Sequence, residues 1–434
     1  MRACRLDGAA AGFDADLSAF LEKPRGEHSD VASRVADIIA GVRARGGSAV
    51  ADYTAQFDRL SIDPKALSAN AIDLDKLASE CPDDLKSAID FAADRIRTYH
   101  LAQRPEDHRF TDEHGVELGW RWTPVDSVGV YVPGGRASYP SSVLMNVVPA
   151  KIAGVQRVVM VAPAPDGRLS SAVAYAACTA GVDVYHPIGG AQAIAALAYG
   201  AGQLAPVDKI VGPGNAYVAE AKRQVFGQVG IDTIAGPSEI LVIADETANP
   251  SWIAADLLSQ SEHDPSSQSV LVTPSLALAD AVVDAIETEL AALPATNCAG
   301  AAWVAHGAVI VTRNLAQAAQ VSNRFAPEHL ELAIADPDAL LPGIKHAGAV
   351  FLGHHAPEAL GDYVTGSNHV LPTSRAARFS SGLGLHDFMK RMSIQRVSPA
   401  GFEALAPAAM RLADAEGLPA HHRSVAIRTN RGER

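Results

Sequence analysis

The hydrophobic and polar positions follow two different periods along the first part of the chain. Residues 30–57 and 83–103 carry apolar side chains every three or four positions, which places those side chains on one face of a helix. Residues 108–125 instead alternate between apolar and polar around His114-Gly115, a pattern typical of a β-hairpin. The sequence therefore predicts a helical N-terminal region followed by a hairpin.

From residue 127 onward, short apolar runs alternate with glycine turns and helical segments. Such alternation predicts a parallel sheet covered by helices on both faces. The pattern occurs in two series, the second beginning near residue 250, with predicted strands at 127–132, 158–162, 182–186, 209–211 and 239–244, and then at 269–272, 307–312, 330–334 and 350–352. After residue 376 the pattern predicts a short helix near 385–390, a strand near 392–397 and C-terminal helices.

These changes of pattern divide the α/β chain into four expected parts. Residues 1–126 form the N-terminal segment, 127–245 the first α/β body, 246–375 the second, and 376–434 a small C-terminal domain. A length of 434 residues is too great for one ordinary core, which agrees with two large bodies.

Composition narrows the classes of function. With 48% hydrophobic and 20% charged residues the chain is globular, and its net charge of −13 disfavours nucleic acid and anionic membranes as partners. The four cysteines lie far apart, which argues against a disulfide framework or a cysteine zinc site and fits a reducing cytoplasm. The charged N-terminus is unlike a signal peptide, and the apolar runs are too short to span a bilayer.

Two glycine turns, at residues 132–138 and 211–216, follow predicted strands and open helices. Free backbone N–H groups at a helix N-terminus bind anions such as phosphate. Neither turn has the GxGxxG spacing of the usual dinucleotide fingerprint. Each turn is therefore equally compatible with a plain connection between a strand and a helix.

Two pairs of polar residues suggest chemistry more directly. Gln260 and His263 stand three residues apart on one predicted helix face, where an amide oxygen and an imidazole can bind zinc. The alternative is a histidine that stabilises the C-terminal end of that helix. Glu328 and His329 combine a carboxylate that can activate water with a proton-shuttling imidazole. Adjacent strand residues face opposite sides, so we expect both in the turn that Pro327 begins, before the strand.

Two later loops carry further candidates. Asp362 and His369 lie in a glycine-punctuated segment, and Glu416 and His421 lie in a segment near the C-terminus. Polar loops of this kind are often held in place by a ligand. Solvated surface loops are the alternative for these two segments and for the Glu328-His329 segment.

In their order along the chain, these segments resemble the histidinol dehydrogenase family. The resemblance rests on SQSEHDP, APEHLEL, LGDYVTGSNHVLPT and EGLPAHHRSV, and upstream on VGVYVPGGRASYPSS, IGGAQAIAALAYG, VGPGNAYVAEAKR and AGPSEILVIAD. It extends through nearly the whole chain. The implied fold has two incomplete Rossmann-like domains with small helical and β extensions at both termini, joined in an intertwined homodimer whose subunits share each active site. Residues 1–126 would then contribute to the second α/β body, and residues 376–434 to dimerisation and the active site.

The resemblance also implies an activity and its residues. The family oxidises L-histidinol to L-histidine through a bound aldehyde, using two NAD and one zinc per subunit, in the last steps of histidine biosynthesis. The implied catalytic pair is Glu328 and His329. The implied zinc ligands are Gln260, His263 and Asp362 from one subunit and His421 from the other. The implied substrate contacts are these six residues together with Ser238, His369 and Glu416, and the implied NAD contacts are Tyr131, Gln192 and Asn215.

Three other functions compete with this interpretation. A zinc hydrolase also places a glutamate beside a metal, but four protein ligands leave no dedicated open position for water unless the substrate expands the coordination shell. A related dehydrogenase of another amino or sulfonated alcohol would share the scaffold, and His369 and Glu416 argue against it because they match positions that recognise histidinol. A metal-dependent binding protein would not need a Glu-His pair beside a ligand set.

Overall fold

A computed structural model describes the chain over residues 3–25, 30–69, 72–134, 138–294 and 296–429. The chain divides into two units. The first unit contains the residues up to Gln103 together with Val125–Phe388, and the second contains Arg104–Pro124 together with the residues from Met389 onward.

The helices and strands are numbered in chain order. The helices are α1 Phe13–Glu22, α2 Val31–Arg45, α3 Gly47–Asp58, α4 Leu74–Ser79, α5 Asp83–Leu101, α6 Pro140–Ala153, α7 Ser171–Ala180, α8 Gly190–Tyr199, α9 Ala216–Val225, α10 Pro250–Ser261, α11 Leu276–Ala292, α12 Ala299–His306, α13 Leu315–Phe325, α14 Pro337–Leu340, α15 Glu358–Tyr363, α16 Pro399–Ala415 and α17 Pro419–Thr429. The strands are β1 Cys4–Asp7, β2 His108–Thr111, β3 Val116–Pro124, β4 Ser127–Tyr131, β5 Arg157–Val161, β6 Val184–His186, β7 Lys209–Val211, β8 Gly230–Ile231, β9 Glu239–Ala244, β10 Gln268–Thr273, β11 Ala308–Val311, β12 His329–Ala333, β13 Ala349–Leu352 and β14 Met389–Val397.

The first α/β body is a parallel sheet whose strands lie in the order β6-β5-β4-β7-β8. Counted along the chain this order is 3-2-1-4-5, which is the Rossmann order without its sixth strand. Helices α2, α3, α8 and α9 contribute apolar residues to one core of this body. The chain reverses its winding direction between β4 and β7, so the carboxyl ends of these two strands border the crevice where such folds bind ligands.

The second body repeats this arrangement. Its strands lie in the order β1-β11-β10-β9-β12-β13, so strands β9 to β13 again read 3-2-1-4-5, with β1 added at the edge beside β11. The sequence pattern grouped Glu239–Ala244 with the first series, but this strand lies at the centre of the second sheet between β10 and β12. All six of its residues are buried. An apolar pattern predicts such a central strand but does not say which sheet it joins.

The N-terminal segment is shared between the two bodies. Strand β1 pairs with β11, and Phe13 and Leu17 of α1 are buried in the core of the second body. Helices α2 and α3, in contrast, pack in the core of the first body, whereas we expected this whole segment to contribute to the second. The single helix predicted over 30–57 is divided at Gly46, whose φ of 57° favours glycine.

The second unit contains an antiparallel sheet and two helices. Its strands lie in the order β14-β3-β2, and β2 and β3 form the predicted hairpin. Helices α16 and α17 pack against each other. In the first unit, the helix predicted near 385–390 is a 3₁₀ turn at Leu385–Phe388, after which β14 begins at once.

The predicted α/β class and its two incomplete Rossmann-like bodies are confirmed. In the described ranges, no helix is both long enough and apolar enough to cross a membrane. The four cysteines carry free thiols, as their spacing indicated.

Candidate active site

The Glu328-His329 pair lies at the amino edge of the second sheet. Glu328 precedes β12 and His329 is its first residue, so only Glu328 occupies the turn in which we expected both. Both side chains reach the backbone of the same residue of β9: the Glu328 carboxylate accepts a hydrogen bond from the Glu239 N–H (2.9 Å), and the His329 Nδ1 lies 3.0 Å from the Glu239 carbonyl oxygen. A carbonyl only accepts, so Nδ1 carries the proton and Nε2 is left as the acceptor.

The surroundings of this pair change how it titrates. Burial raises the pKa of Glu328 to about 8, against the opposing effect of His329. Burial alone would lower the pKa of His329, but the neighbouring carboxylates of Glu358, Glu328 and Asp362 outweigh it and raise that pKa well above its usual value. The His329 Nε2 is buried and has no hydrogen-bond partner in the described part of the chain. Nε2 can therefore receive a proton from a bound ligand in the neutral form of His329, which the three charged carboxylates disfavour.

Two of the predicted zinc ligands, His263 and Asp362, have ligand atoms within 4.8 Å of each other near this pair, and Gln260 precedes His263 by three residues. Gln260, in the last turn of α10, is only 1% exposed, and its Oε1 is buried with no hydrogen-bond partner among the described residues. His263 lies two residues beyond the end of α10 rather than on the helix, and its Nδ1 donates to the Ser259 carbonyl (2.9 Å), which leaves Nε2 available. Asp362 lies in α15 rather than in a loop, and its Oδ1 is 3.8 Å from His329 Nε2.

The residue types in this cluster fit a zinc ion. A buried amide oxygen without a partner is costly unless a cation or a donor satisfies it. Amide oxygen, imidazole nitrogen and carboxylate oxygen are all ligands that zinc accepts.

His369 and Ser238 border the same region. The His369 Nδ1 donates to the backbone carbonyl of Asp362 (3.0 Å), and its Nε2 lies 3.5 Å from the Ser142 hydroxyl. Burial lowers the pKa of His369, partly offset by Asp362. Ser238 directly precedes Glu239, and its carbonyl accepts from the Gln268 N–H (2.9 Å).

A cavity of about 720 Å³ opens at the carboxyl edge of the first sheet. Tyr131, Gln192 and Asn215, the three predicted NAD contacts, all line it. They lie at the end of β4, in the first turn of α8 and at the N-cap of α9, next to the crevice between β4 and β7. Gln192 Oε1 is buried without a hydrogen-bond partner among the described residues. A cavity of this size, bordered by the N-termini of two ten-residue helices, fits a dinucleotide.

Comparison with known proteins shows the family to which this chain is similar. The sequence profile described as histidinol dehydrogenase matches residues 21–429. A histidinol dehydrogenase from Cereibacter sphaeroides is 57% identical over 426 residues, covering 98% of each chain, and one from Bradyrhizobium diazoefficiens is 56% identical, covering 98% of this chain and 99% of its own. The chain belongs to the histidinol dehydrogenase family. It is therefore an oxidoreductase, and the crystal structure of histidinol dehydrogenase from Elizabethkingia anophelis matches it with a TM-score of 0.93, 33% identity and 98% coverage of both chains.

Glu358 is a residue of this candidate site that the sequence analysis missed. Ligand atoms of His263, Glu358 and Asp362 all lie within 4.8 Å of one another. Glu358 is buried, and its carboxylate accepts from the Ser259 hydroxyl (3.3 Å). Glu358 and Asp362 stand four residues apart on α15, a spacing that places both on one helix face and that was readable in the sequence.

The remaining predicted site residues of this family member lie in the second unit. Glu416 follows the last residue of α16, and His421 lies in α17 rather than in a loop. Both are exposed. The first unit thus brings His263 and Asp362 together and holds Gln260 in the last turn of α10, whereas His421 is exposed in the second unit.

A buried ion pair supports the glycine turn beside the cavity. The carboxylate of Asp232 pairs with the ammonium group of Lys222, and both side chains are almost fully buried. Lys222 Nζ also donates to the Gly212 carbonyl (3.1 Å), while the Gly212 N–H donates to Asp232 (2.7 Å). A Cβ atom at Gly212 would lie 2.1 Å from the Tyr131 carbonyl oxygen. The turn therefore requires glycine, and the ion pair fixes it against the end of β4. Residues 135–137 of the first glycine turn lie outside the described residues, and Gly134 lines the cavity.

Proposed function

We propose that this chain oxidises L-histidinol to L-histidine in two successive steps through a bound aldehyde, with one NAD for each step. The observation that carries this proposal is the pair Glu328 and His329, held by the backbone of one residue, Glu239. His329 Nε2, the free nitrogen of the pair, lies beside Asp362 of the candidate ligand set. A base and a water activator next to a metal set are what alcohol and aldehyde oxidation require together.

Gln260, His263 and Asp362 would hold one zinc ion, with His421 supplied by a second copy of the chain. The unpartnered amide oxygen of Gln260 supports this assignment. A bound zinc ion would supply a template for the imidazole and amine of histidinol. An exposed His421 and Glu416 in a separate unit suit a site that two subunits complete, and we therefore propose a homodimer with shared active sites.

Tyr131, Gln192 and Asn215 would hold NAD in the cavity at the first sheet. NAD supplies the hydride acceptor for both oxidations. The Tyr131 hydroxyl accepts from the Gly190 N–H (3.2 Å), which fixes the ring at the start of α8. Burial raises the pKa of Tyr131 to about 12, so this residue stays a neutral hydrogen-bonding group.

In the first oxidation, His329 Nε2 accepts the proton of the substrate hydroxyl. The Glu239 carbonyl holds the opposite ring nitrogen and so selects the tautomer that can do this. Pairing of Asp362 with a divalent cation would withdraw one of the carboxylates that raise the pKa of His329, which favours the proton-accepting form.

In the second oxidation, the Glu328 carboxylate takes a proton from the water that attacks the aldehyde. Its pKa of about 8 makes it an effective base only above neutral pH. His329 Nε2 then accepts the hydroxyl proton of the resulting hydrate, whose hydride NAD would accept. Ser238, His369 and Glu416 would complete the contacts to the substrate, with Glu416 supplied by the second copy.

The test is turnover of L-histidinol by zinc-loaded protein with NAD, with L-histidine measured by chromatography. We expect NADH and L-histidine together, loss of both on chelation, and recovery on addition of zinc. Turnover of a different alcohol without any turnover of histidinol would contradict the proposed substrate. Activity that persists after complete removal of the metal would contradict the zinc site.

A further inference from the structure

The wall of the 720 Å³ cavity near Tyr131 is acidic. Asp37 and Asp58 both line it, together with the cation of Arg34. Arg34 is already paired with Asp30 (2.5 Å) and donates to the Tyr217 hydroxyl (3.3 Å). The charge at this wall therefore favours ligand hydroxyl groups over an additional phosphate group.

Asp58 carries a carboxylate oxygen that lacks a hydrogen-bond donor among the described residues. It is the last residue of α3, and its Oδ2 is buried with no hydrogen-bond partner in the ranges that the structure describes. The neighbouring Arg59 does not engage this oxygen, because its Nε and Nη2 donate to the two carboxylate oxygens of Asp166 (2.7 and 2.6 Å). A buried carboxylate oxygen without a donor is unfavourable until a ligand supplies one.

The topology indicates which part of a dinucleotide would reach this wall. In the Rossmann order, an acidic residue after the second strand of the unit binds the hydroxyls of the adenosine ribose. The second strand here is β5, and Pro163 and Pro165 after it line the cavity. The acidic residue that follows, Asp166, has both oxygens occupied by Arg59. Asp58 brings an unpaired carboxylate oxygen to the same wall from α3.

We propose that Asp58 accepts hydrogen bonds from the adenosine ribose hydroxyls of NAD and makes this cavity select NAD over NADP. This inference rests on the NAD dependence proposed above. NADP carries a phosphate at the ribose 2′ position, and a dianion beside the partly buried Asp58 carboxylate would be repelled. Asp58 is close enough to raise the pKa of the Tyr131 hydroxyl, after the larger effect of burial, which agrees with a position in the nucleotide site.

The experiment is calorimetric titration of the wild-type protein with NADH and with NADPH, repeated on Asp58→Asn. Asp52→Asn is the matched control, because Asp52 is an exposed carboxylate on the same helix and pairs with Arg45 at the surface. We expect the wild type to bind NADH more tightly than NADPH. Loss of a charged acceptor should weaken NADH binding in Asp58→Asn by about 10- to 100-fold.

The ratio of the dissociation constants for NADPH and NADH tests whether Asp58 selects between the two nucleotides. In Asp58→Asn the preference for NADH should fall by about tenfold or more, since the repulsion of the 2′-phosphate is removed, whereas Asp52→Asn should keep the wild-type ratio. An unchanged ratio in Asp58→Asn, in a protein that still makes NADH from histidinol, would overturn the role of Asp58 alone. Wild-type protein that binds neither nucleotide and forms no NADH would overturn the proposed NAD dependence as well.

Discussion

Replacing Glu328 with glutamine should separate the two oxidations that this site is proposed to perform. The amide keeps the shape of the side chain and an oxygen for the Glu239 N–H, but it does not take a proton from water. Because a positioned base contributes about 100- to 10,000-fold in rate, aldehyde oxidation should fall by that factor. Alcohol oxidation depends on His329 in our account, so we expect it to fall less than about tenfold.

The pKa of Glu328 adds a quantitative pH signature. A raised pKa means that the carboxylate form is scarce at neutral pH and accumulates as the pH rises through that value. With a pKa of about 8, roughly one tenth of the site is ionised at about pH 7 and roughly nine tenths at about pH 9. Aldehyde oxidation by the wild type should therefore rise about ninefold between these two pH values, and Glu328→Gln should lose this rise.

Stopped-flow measurement of NADH formation, started separately from L-histidinol and from the aldehyde, reads the two steps. Circular dichroism on the variant provides the control for folding. Equal losses in both steps, or a ninefold pH rise that survives in Glu328→Gln, would refute the assigned role of Glu328.

Three further predictions follow from the same structure. His329→Asn should slow both oxidations by about 100- to 10,000-fold, measured as NADH formation from histidinol and from the aldehyde, and an aldehyde step that keeps its wild-type rate would contradict our assignment. His421→Ala and Asp362→Asn should each lose zinc and activity. If the sites are shared, random mixing of the two variants should recover about a quarter of wild-type activity, because half of the dimers are mixed and each mixed dimer has one intact site of two. No recovery would place all ligands of a site on one chain. Lys222→Met should lower the free energy of unfolding by about 3–5 kcal/mol in denaturant, because it leaves the Asp232 carboxylate buried and unpaired. The double variant Lys222→Met with Asp232→Leu should recover most of that loss. Equal destabilisation by the single and the double variant would argue against an unpaired charge as the cause.

The local pattern of the sequence predicted most of the elements but not all of their partners. Short apolar runs identified the strands because every strand at the centre of a parallel sheet is buried on both faces. For the same reason, the sequence did not predict which strands pair with Glu239–Ala244, because an apolar strand fits either sheet. Its pairing with β10 and β12 depends on residues far away in sequence. One long helix was predicted over 30–57, although the Gly46-Gly47 pair at its break is a local signal of a helix end.

In the candidate site too, groups that are close in sequence were predictable, whereas contacts between distant parts of the chain were not. Gln260 with His263, and Glu328 with His329, were recognisable because the groups of each pair are close in sequence. Glu358 was missed, although its spacing from Asp362 on one helix is a local signal. The role of the Glu239 backbone was not predictable from the sequence. Glu328 and His329 are separated from Glu239 by 89 and 90 positions along the chain, so their hydrogen bonds to it exist only once the chain has folded.

Counting NADH against L-histidinol consumed to completion tests the central claim most directly. Zinc-loaded protein with excess NAD should form two NADH for each histidinol, because the aldehyde stays bound and Glu328 enables its oxidation at the same site. One NADH per histidinol, with free aldehyde in solution, would contradict the account.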